Sequence, residues 1–192
     1  MRSRGGSNEL ARKNFVSQLR ERNEEAVAHW VAVYQKKIFR LAYAFCGDRE
    51  EALDIVQETF MRAYEKMGYL KEETNIEHWL YQIARHLCID RYRRQKSQKR
   101  GAGINHYPDA LTLIKQEWPM EKNSELRQLI GEAMEQLSPR QKLVFILKQI
   151  NELKFDEIAQ VLGIAPGTVK SLHFKALRHL RHHLQPLLGG EK

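Results

Sequence analysis

Apolar residues recur along the chain at intervals of three and four, the spacing of one helix face, and no segment alternates convincingly as a strand would. After Asn23, a side chain suited to capping a helix start, Val27, Trp30, Val31, Tyr34, Ile38, Leu41, Ala42 and Phe45 trace one stripe that Gly47 ends. Asp48 with Glu51 reads as a capping box opening the next helix, whose stripe is Ala52, Ile55, Val56, Thr59, Phe60, Ala63 and Met67, stopping at Gly68. Beyond the polar loop GYLKEETN, Thr74 with Glu77 predicts a further capping box and a helix over 76–95 along Leu80, Ile83, Ala84 and Leu87. A shorter helix over about 9–22 completes a first unit.

Periodicity fades from Ser97 to Asn123, where Gly101, Gly103, Pro108 and Pro119 interrupt the pattern. A structureless stretch of that length inside one compact domain is uncommon, so it predicts a linker between two domains. The second domain opens near Ser124 with Leu126, Leu129, Ile130, Ala133, Met134 and Leu137 on one face. Ser138-Pro139 restarts the chain, because Ser caps a helix and Pro lacks an N–H only where none is needed. That helix carries Leu143, Leu147 and Ile150; FDEIAQVLG then gives a short helix stopped by Gly163, and a last helix runs from Pro166 to about Leu188. The expected fold is all-α, two helical domains joined by a flexible linker. The expected boundaries are 1–8 as a mobile N-terminal segment, 9–96, the linker 97–123, and 124–192.

Charge changes this picture by its location. Of a net +8, residues 85–100, RHLCIDRYRRQKSQKR, hold seven Arg or Lys against one acid, and residues 158–190 hold Lys170, Lys175, Arg178 and Arg181 against none. The rest of the chain is net acidic, so two separate cationic sites are implied rather than one basic protein. No apolar run reaches about 18 residues and the N-terminus has no apolar signal core, so a cytoplasmic location without membrane insertion is expected. Cys46 and Cys88 lie within helical stripes, without a CxxC or metal-ligand spacing, and are expected as reduced packing residues. His86 and Asp90 stand four apart, but no nucleophile, phosphate loop or HExxH accompanies them; neither catalysis nor a cofactor is expected.

The most specific local pattern is FDEIAQVLGIAPGTVKSLHFKALRHLR, a short helix, a Gly-containing turn and a longer helix. In this helix-turn-helix, Ile158, Ala159, Leu162, Val169, Leu172, Ala176 and Leu177 are predicted to fill the inner angle. Lys170, Ser171, Phe174, Lys175, Arg178 and Arg181 form the outer stripe, where an exposed Phe among cations suits a thymine methyl or sugar edge. On the helix over 76–95, Trp79, Gln82, His86 and Arg93 fall on one line, with Tyr81, Arg85, Cys88 and Tyr92 beside it. Aromatics interleaved with Arg at that spacing suit an unpaired strand, whereas each aromatic taken alone reads equally well as core. Three functions accommodate these features: a promoter-recognition factor acting with polymerase, a dimeric helix-turn-helix regulator, and a protein whose basic helices bind acidic partners or anionic membrane.

The order of four segments separates these functions. EALDIVQETFMRAYEKM, HWLYQIARHLCIDRYRRQ, LSPRQKLVFILKQI and the helix-turn-helix segment resemble, in order and spacing, the second and fourth conserved regions of bacterial RNA polymerase sigma factors, above all the extracytoplasmic-function (ECF) group. The resemblance covers about residues 20–187. It implies a dissociable initiation factor with core RNA polymerase, through its beta and beta-prime subunits, and promoter DNA as partners, under the control of an anti-sigma factor. Asp54, Gln57 and Glu58 match the family's polymerase-docking DxxQE signature, and they share one helix face. The GYLKEETN loop with Asn75 matches the loop that captures a flipped minus ten base.

Trp79, Gln82, His86, Asp90, Arg91, Arg93 and Arg94 match the adjoining DNA-facing helix. Thr168, Lys170, Ser171, Phe174, Lys175 and Arg178 match the surface that reads the minus 35 duplex. The chain departs from the family at His86, usually Asn, at Leu53, usually Glu, and at Leu172, frequently Arg. The linker's counterpart threads the polymerase cleft, and 27 residues extend at most roughly 90 Å. That reach exceeds two turns of B-DNA at about 34 Å each.

Overall fold

The computed structural model describes residues 13–98 and 124–188, with side chains over 13–97 and 129–185. The expected mobile segment and nearly all of the expected linker lie outside the described residues. Every element among the described residues is helical. In chain order they are α1 (13–20), α2 (Glu24–Cys46), α3 (Arg49–Lys66) with a 3-10 turn Met67–Tyr69, α4 (Ile76–Gln98), α5 (Ser124–Glu135), α6 (Pro139–Gln149), α7 (Phe155–Leu162) and α8 (Pro166–Leu188).

The helix ends follow from their capping residues. Asn23 accepts a hydrogen bond from the Ala26 N–H, and Gly47 closes α2 at φ 76° with its N–H on the Tyr43 carbonyl. Asp48 accepts from the Glu51 N–H at 2.7 Å, but Glu51 does not complete a capping box; its carboxylate takes the Gln95 amide at 2.7 Å. At α4 the predicted Thr74 cap is corrected to Asn75, whose Oδ1 accepts from the His78 N–H at 3.1 Å. Thr74 instead accepts the Lys71 N–H, and Glu77 is drawn to Lys37 at 2.9 Å. Ser138 and Gln141 form a complete capping box behind Pro139, and Gly163 ends α7 in the left-handed region at φ 65°. α4 runs on through Gln98, past the expected end at 95 and into the first two residues of the expected linker.

α2, α3 and α4 pack side by side around Trp30, Leu41, Ile55 and Leu80, all within 1 % of fully buried. Each such side chain contributes about 1.5–3 kcal/mol by leaving water. Phe60 meets the Trp30 ring edge-on at 5.0 Å, and Trp79 stacks on Trp30 at 6.5 Å. Thr59, buried among them, satisfies its hydroxyl on the Ile55 carbonyl at 2.6 Å. In the second unit α8 lies across α5, α6 and α7 over Leu143, Ile146, Leu147, Ile158, Val169 and Ala176. Leu172 is half-buried, but Leu177, expected in the inner angle, is 42 % exposed; Leu180 takes the buried position one turn on. The two units touch through α4 against α7 and α2 against α6.

Candidate nucleic-acid interface

Asp54 and Gln57 stand in solvent on α3, and Glu58 beside them is half-buried. Arg91 of α4 bridges the two carboxylates, with Nη1 3.4 Å from Asp54 Oδ2 and Nη2 3.5 Å from Glu58 Oε2. Arg62 holds the other Glu58 oxygen at 2.6 Å. Pairs this exposed contribute about 0–1 kcal/mol each, so they orient the acids more than they stabilise the fold. Arg91, expected on promoter phosphates, therefore faces α3. Leu53 and Met61, at 40 % and 58 % exposure, add apolar surface on the same helix, a feature that the charge pattern did not bring out. Burial raises the Glu51 pKa, while Arg91 and the Gln95 hydrogen bond oppose that shift.

On α4, Asn75 commits its side-chain oxygen to the helix start. One turn on, Trp79 lies half-buried against Trp30, leaving part of its ring accessible. Gln82 is half-buried and donates to the Gln160 carbonyl of α7 at 3.2 Å. His86 is exposed, its Nε2 3.2 Å from Arg85 Nη2. Asp90 pairs with Arg93 at 3.7 Å, and Arg93 and Arg94 reach into solvent. Tyr81 and Cys88, on the neighbouring line, are core residues; burial drives both pKa values well up. Tyr92 packs edge-on against Phe45 at 6.3 Å. Of the neighbouring line, Tyr81 and Cys88 are buried while Arg85 and Tyr92 are half-buried; on the other line Trp79 and Gln82 are half-buried and His86 and Arg93, followed by Arg94, are exposed.

In the helix-turn-helix, Val169 and Ala176 face inward while Thr168, Lys170, Ser171, Lys175 and Arg178 are exposed. Phe174 sits among them at 67 % exposure. A cationic face with one projecting ring has the chemistry to hold phosphates and touch a base edge. Beneath it His173 bonds Gln149 at 3.1 Å and meets Phe155 edge-on at 5.3 Å; burial and the nearby Lys148 lower its pKa.

Sequence patterns missed the residues that join the units. Arg40, His78, Asn151 and Gln160 form cross-unit hydrogen bonds between positions 70 to 114 residues apart, a separation that leaves no local signal. Among the described residues no three His, Cys, Asp or Glu side chains are gathered as a metal site, and no helix is long and apolar enough to cross a membrane.

Comparison with known proteins matches residues 30–98 to the family model Sigma-70 region 2 and residues 127–180 to Sigma-70, region 4. The ECF RNA polymerase sigma factor SigW of Bacillus subtilis (strain 168) is 32 % identical over 193 residues, covering 93 % of this chain and all of that protein. CnrH, solved in complex with the cytosolic domain of CnrY, shares the fold with a TM-score of 0.68 at 21 % identity over 95 % of this chain and 99 % of its own. The sigma factor RpoE, solved with the anti-sigma factor NepR from Bartonella quintana, gives 0.66 at 23 % identity over 82 % and 96 %.

Proposed function

Because the chain belongs to the ECF sigma factors of bacterial RNA polymerase, we propose a division of labour among three of its helices: α3 docks core polymerase, α4 captures the minus ten strand and α8 reads the minus 35 duplex. The chain is a transcription initiation factor, with core RNA polymerase and promoter DNA as its partners. The observation that carries the division is one chain bearing an exposed acidic patch and two cationic rows on different helices. An acidic face repels the phosphate backbone and a cationic one attracts it, so the faces need different partners.

In this reading Asp54, Gln57 and Glu58 engage the beta-prime subunit, and the apolar Leu53 and Met61 extend that contact. Trp79 offers a ring for an unstacked base, Gln82 and His86 offer hydrogen bonds to its edge, and Arg93 and Arg94 hold phosphates. Asn75 and Asp90 frame that row from the helix start and from the Arg93 pair, and Arg91 couples it to the polymerase face. Thr168, Lys170, Ser171, Phe174, Lys175 and Arg178 read the minus 35 element in the major groove. Residues 9–96 form the polymerase and minus ten unit, 124–192 the minus 35 unit, and 97–123 the tether. The factor works in the cytoplasm, not as an enzyme, and an anti-sigma factor holds it in check. That last element draws on CnrH and RpoE, whose solved complexes hold CnrY and the anti-sigma factor NepR.

Run-off transcription with purified core polymerase on a promoter library tests the reading. Start sites that appear only with this protein are expected. Their complete absence would overturn it, and specific duplex binding at a palindrome without polymerase would favour a dimeric regulator instead.

A further inference from the structure

His173 stands half-buried on α8, immediately before the exposed Phe174 and between the fully buried Val169 and Ala176. Three helices meet at its ring. Gln149, at the end of α6, places its amide Nε2 3.1 Å from His173 Nε2, and Phe155, at the start of α7, meets the imidazole edge-on at 5.3 Å. An amide nitrogen only donates, so His173 Nε2 is the acceptor and the ring is neutral, with its proton on Nδ1. Lys148 of α6 is pinned close by, its Nζ on the Leu153 carbonyl at 3.2 Å and over the Phe155 ring at 5.1 Å. Arg140 and Lys142 lie further back on α6, Asp156 and Glu157 open α7, and Glu132 and Glu135 belong to α5, while Lys170 and Lys175 of α8 itself are exposed. Glu157 is engaged by the Lys154 N–H at 2.7 Å, and among the described residues Lys148 alone sets the field at the imidazole.

We propose that His173 is a positioning residue for promoter reading: its neutral imidazole seats α8 on α6 and α7, and protonation loosens that seat, so the chain discriminates less sharply between minus 35 sequences in acid. The inference rests on the reading of α8 as the minus 35 helix. A proton on Nε2 would point at the Gln149 amide hydrogens, and the cation would lie half-buried beside Lys148. Rotating the amide to present its oxygen restores one bond but leaves the burial and the Lys148 repulsion. Moving α8 outward at this turn relieves both. A helix is stiff over a single turn, so the movement carries Phe174, the next residue, and Lys170, one turn back. Base-edge contacts depend on register, whereas cations on flexible stems reach phosphates from many positions, so the movement costs discrimination before it costs affinity. Burial and Lys148 together lower the imidazole pKa, which keeps the seat intact at neutral pH. The loosened form takes up the proton first, so the seat is complete above the ordinary value of 6.5 and is lost as pH falls through the lowered one.

The test is the ratio of binding to native and scrambled minus 35 duplexes, measured at fixed salt from pH 7.5 to pH 5 with the full chain assembled on core polymerase. The ratio is read rather than the affinity, because α8 carries three further exposed imidazoles, His179, His182 and His183. For the wild-type chain the ratio is expected to fall about threefold or more across that range. For His173→Gln it is expected to be flat, whatever its level. Gln149→Glu gives the imidazolium a carboxylate to donate to, so this variant is expected to hold its ratio in acid. Gln149 is exposed, so the second variant keeps the test decisive if His173→Gln does not fold. Equal falls in the wild-type chain and His173→Gln would overturn the proposal, as would a fall in Gln149→Glu as large as that of the wild type. A wild-type chain that prefers the native duplex at no pH would instead sink the minus 35 reading of α8, and the proposal with it.

Discussion

Asn151, in the turn between α6 and α7, donates its amide to the hydroxyl of Tyr81 on α4 at 3.0 Å, tying the two helical units through a side chain that is 1 % exposed. The Tyr81 hydroxyl is itself a donor to Glu77 at 3.3 Å, so it keeps one partner when Asn151 is removed. Asn151→Ala also removes the bond to the Lys37 carbonyl at 3.0 Å, and with about 0.5–1.5 kcal/mol for each of the two bonds it is expected to cost about 1–3 kcal/mol. Urea unfolding monitored by far-ultraviolet circular dichroism measures it; no loss would mean that the contact is not formed in solution.

Asp54 and Gln57 are exposed and carry little packing. The double change Asp54→Ala, Gln57→Ala is expected to reduce run-off transcription at least tenfold, while the thermal midpoint stays within about the effect of a surface substitution, ±0.5 kcal/mol. Co-purification with core polymerase should fall in parallel. Unchanged retention on polymerase would remove α3 from the docking surface.

Lys170 and Lys175 lie one turn and a half apart on the outer face of α8. Replacing either by Ala is expected to lower the salt slope of minus 35 duplex binding by about one. Phe174→Ala, in contrast, should leave that slope unchanged while weakening discrimination between native and scrambled minus 35 sequences. A salt slope unaffected by both lysine changes would place these cations away from phosphate.

Gly163 holds φ at 65°, and a methyl group there would meet no atom within 4 Å. The cost of Gly163→Ala is thus conformational alone, about 1–2 kcal/mol for a left-handed residue, and Gly163→Asn should cost less. Chemical denaturation of the three proteins ranks them; Ala and Asn behaving alike would contradict the backbone account.

These turns also show what was legible in the chain. Asn23, Gly47, Ser138-Pro139 and Gly163 act through their own backbone and near neighbours, so the sequence pattern located their helix ends. Thr74 lost its expected role because Asn75 presents a competing cap one residue later, and Glu77 found a cation on α2 forty residues away. Periodicity separated Tyr81 from Trp79 only as neighbouring lines; packing decided that one is core and the other half-open. Arg91 looked like its neighbours Arg93 and Arg94 but turned towards α3, because the partner acids lie 33 and 37 residues back along the chain. The seam between the units was invisible, since none of its pairs is local.

His173 provides a pH test. Its imidazole titrates below the ordinary value of 6.5, because burial and Lys148 disfavour the cation. On acidification the unfolded chain takes up the proton first. The stability linked to this residue is therefore complete above about that ordinary value and is lost as pH falls through the lowered one. The thermal midpoint is expected to drop between pH 7 and pH 5 by more in the wild-type chain than in His173→Gln. Identical drops would assign the acid sensitivity to other groups.

The Trp30 and Trp79 rings, 6.5 Å apart and inclined by only 19°, are close enough to share an excited state. The join between α2 and α4 thus carries its own chromophore. With the third indole, Trp118, replaced by Phe, tryptophan emission would arise from that pair alone. Trp30 is shielded and Trp79 half-buried, so a base stacking on Trp79 would quench the emission of the coupled pair. Promoter opening would then be visible by light in an otherwise unlabelled chain.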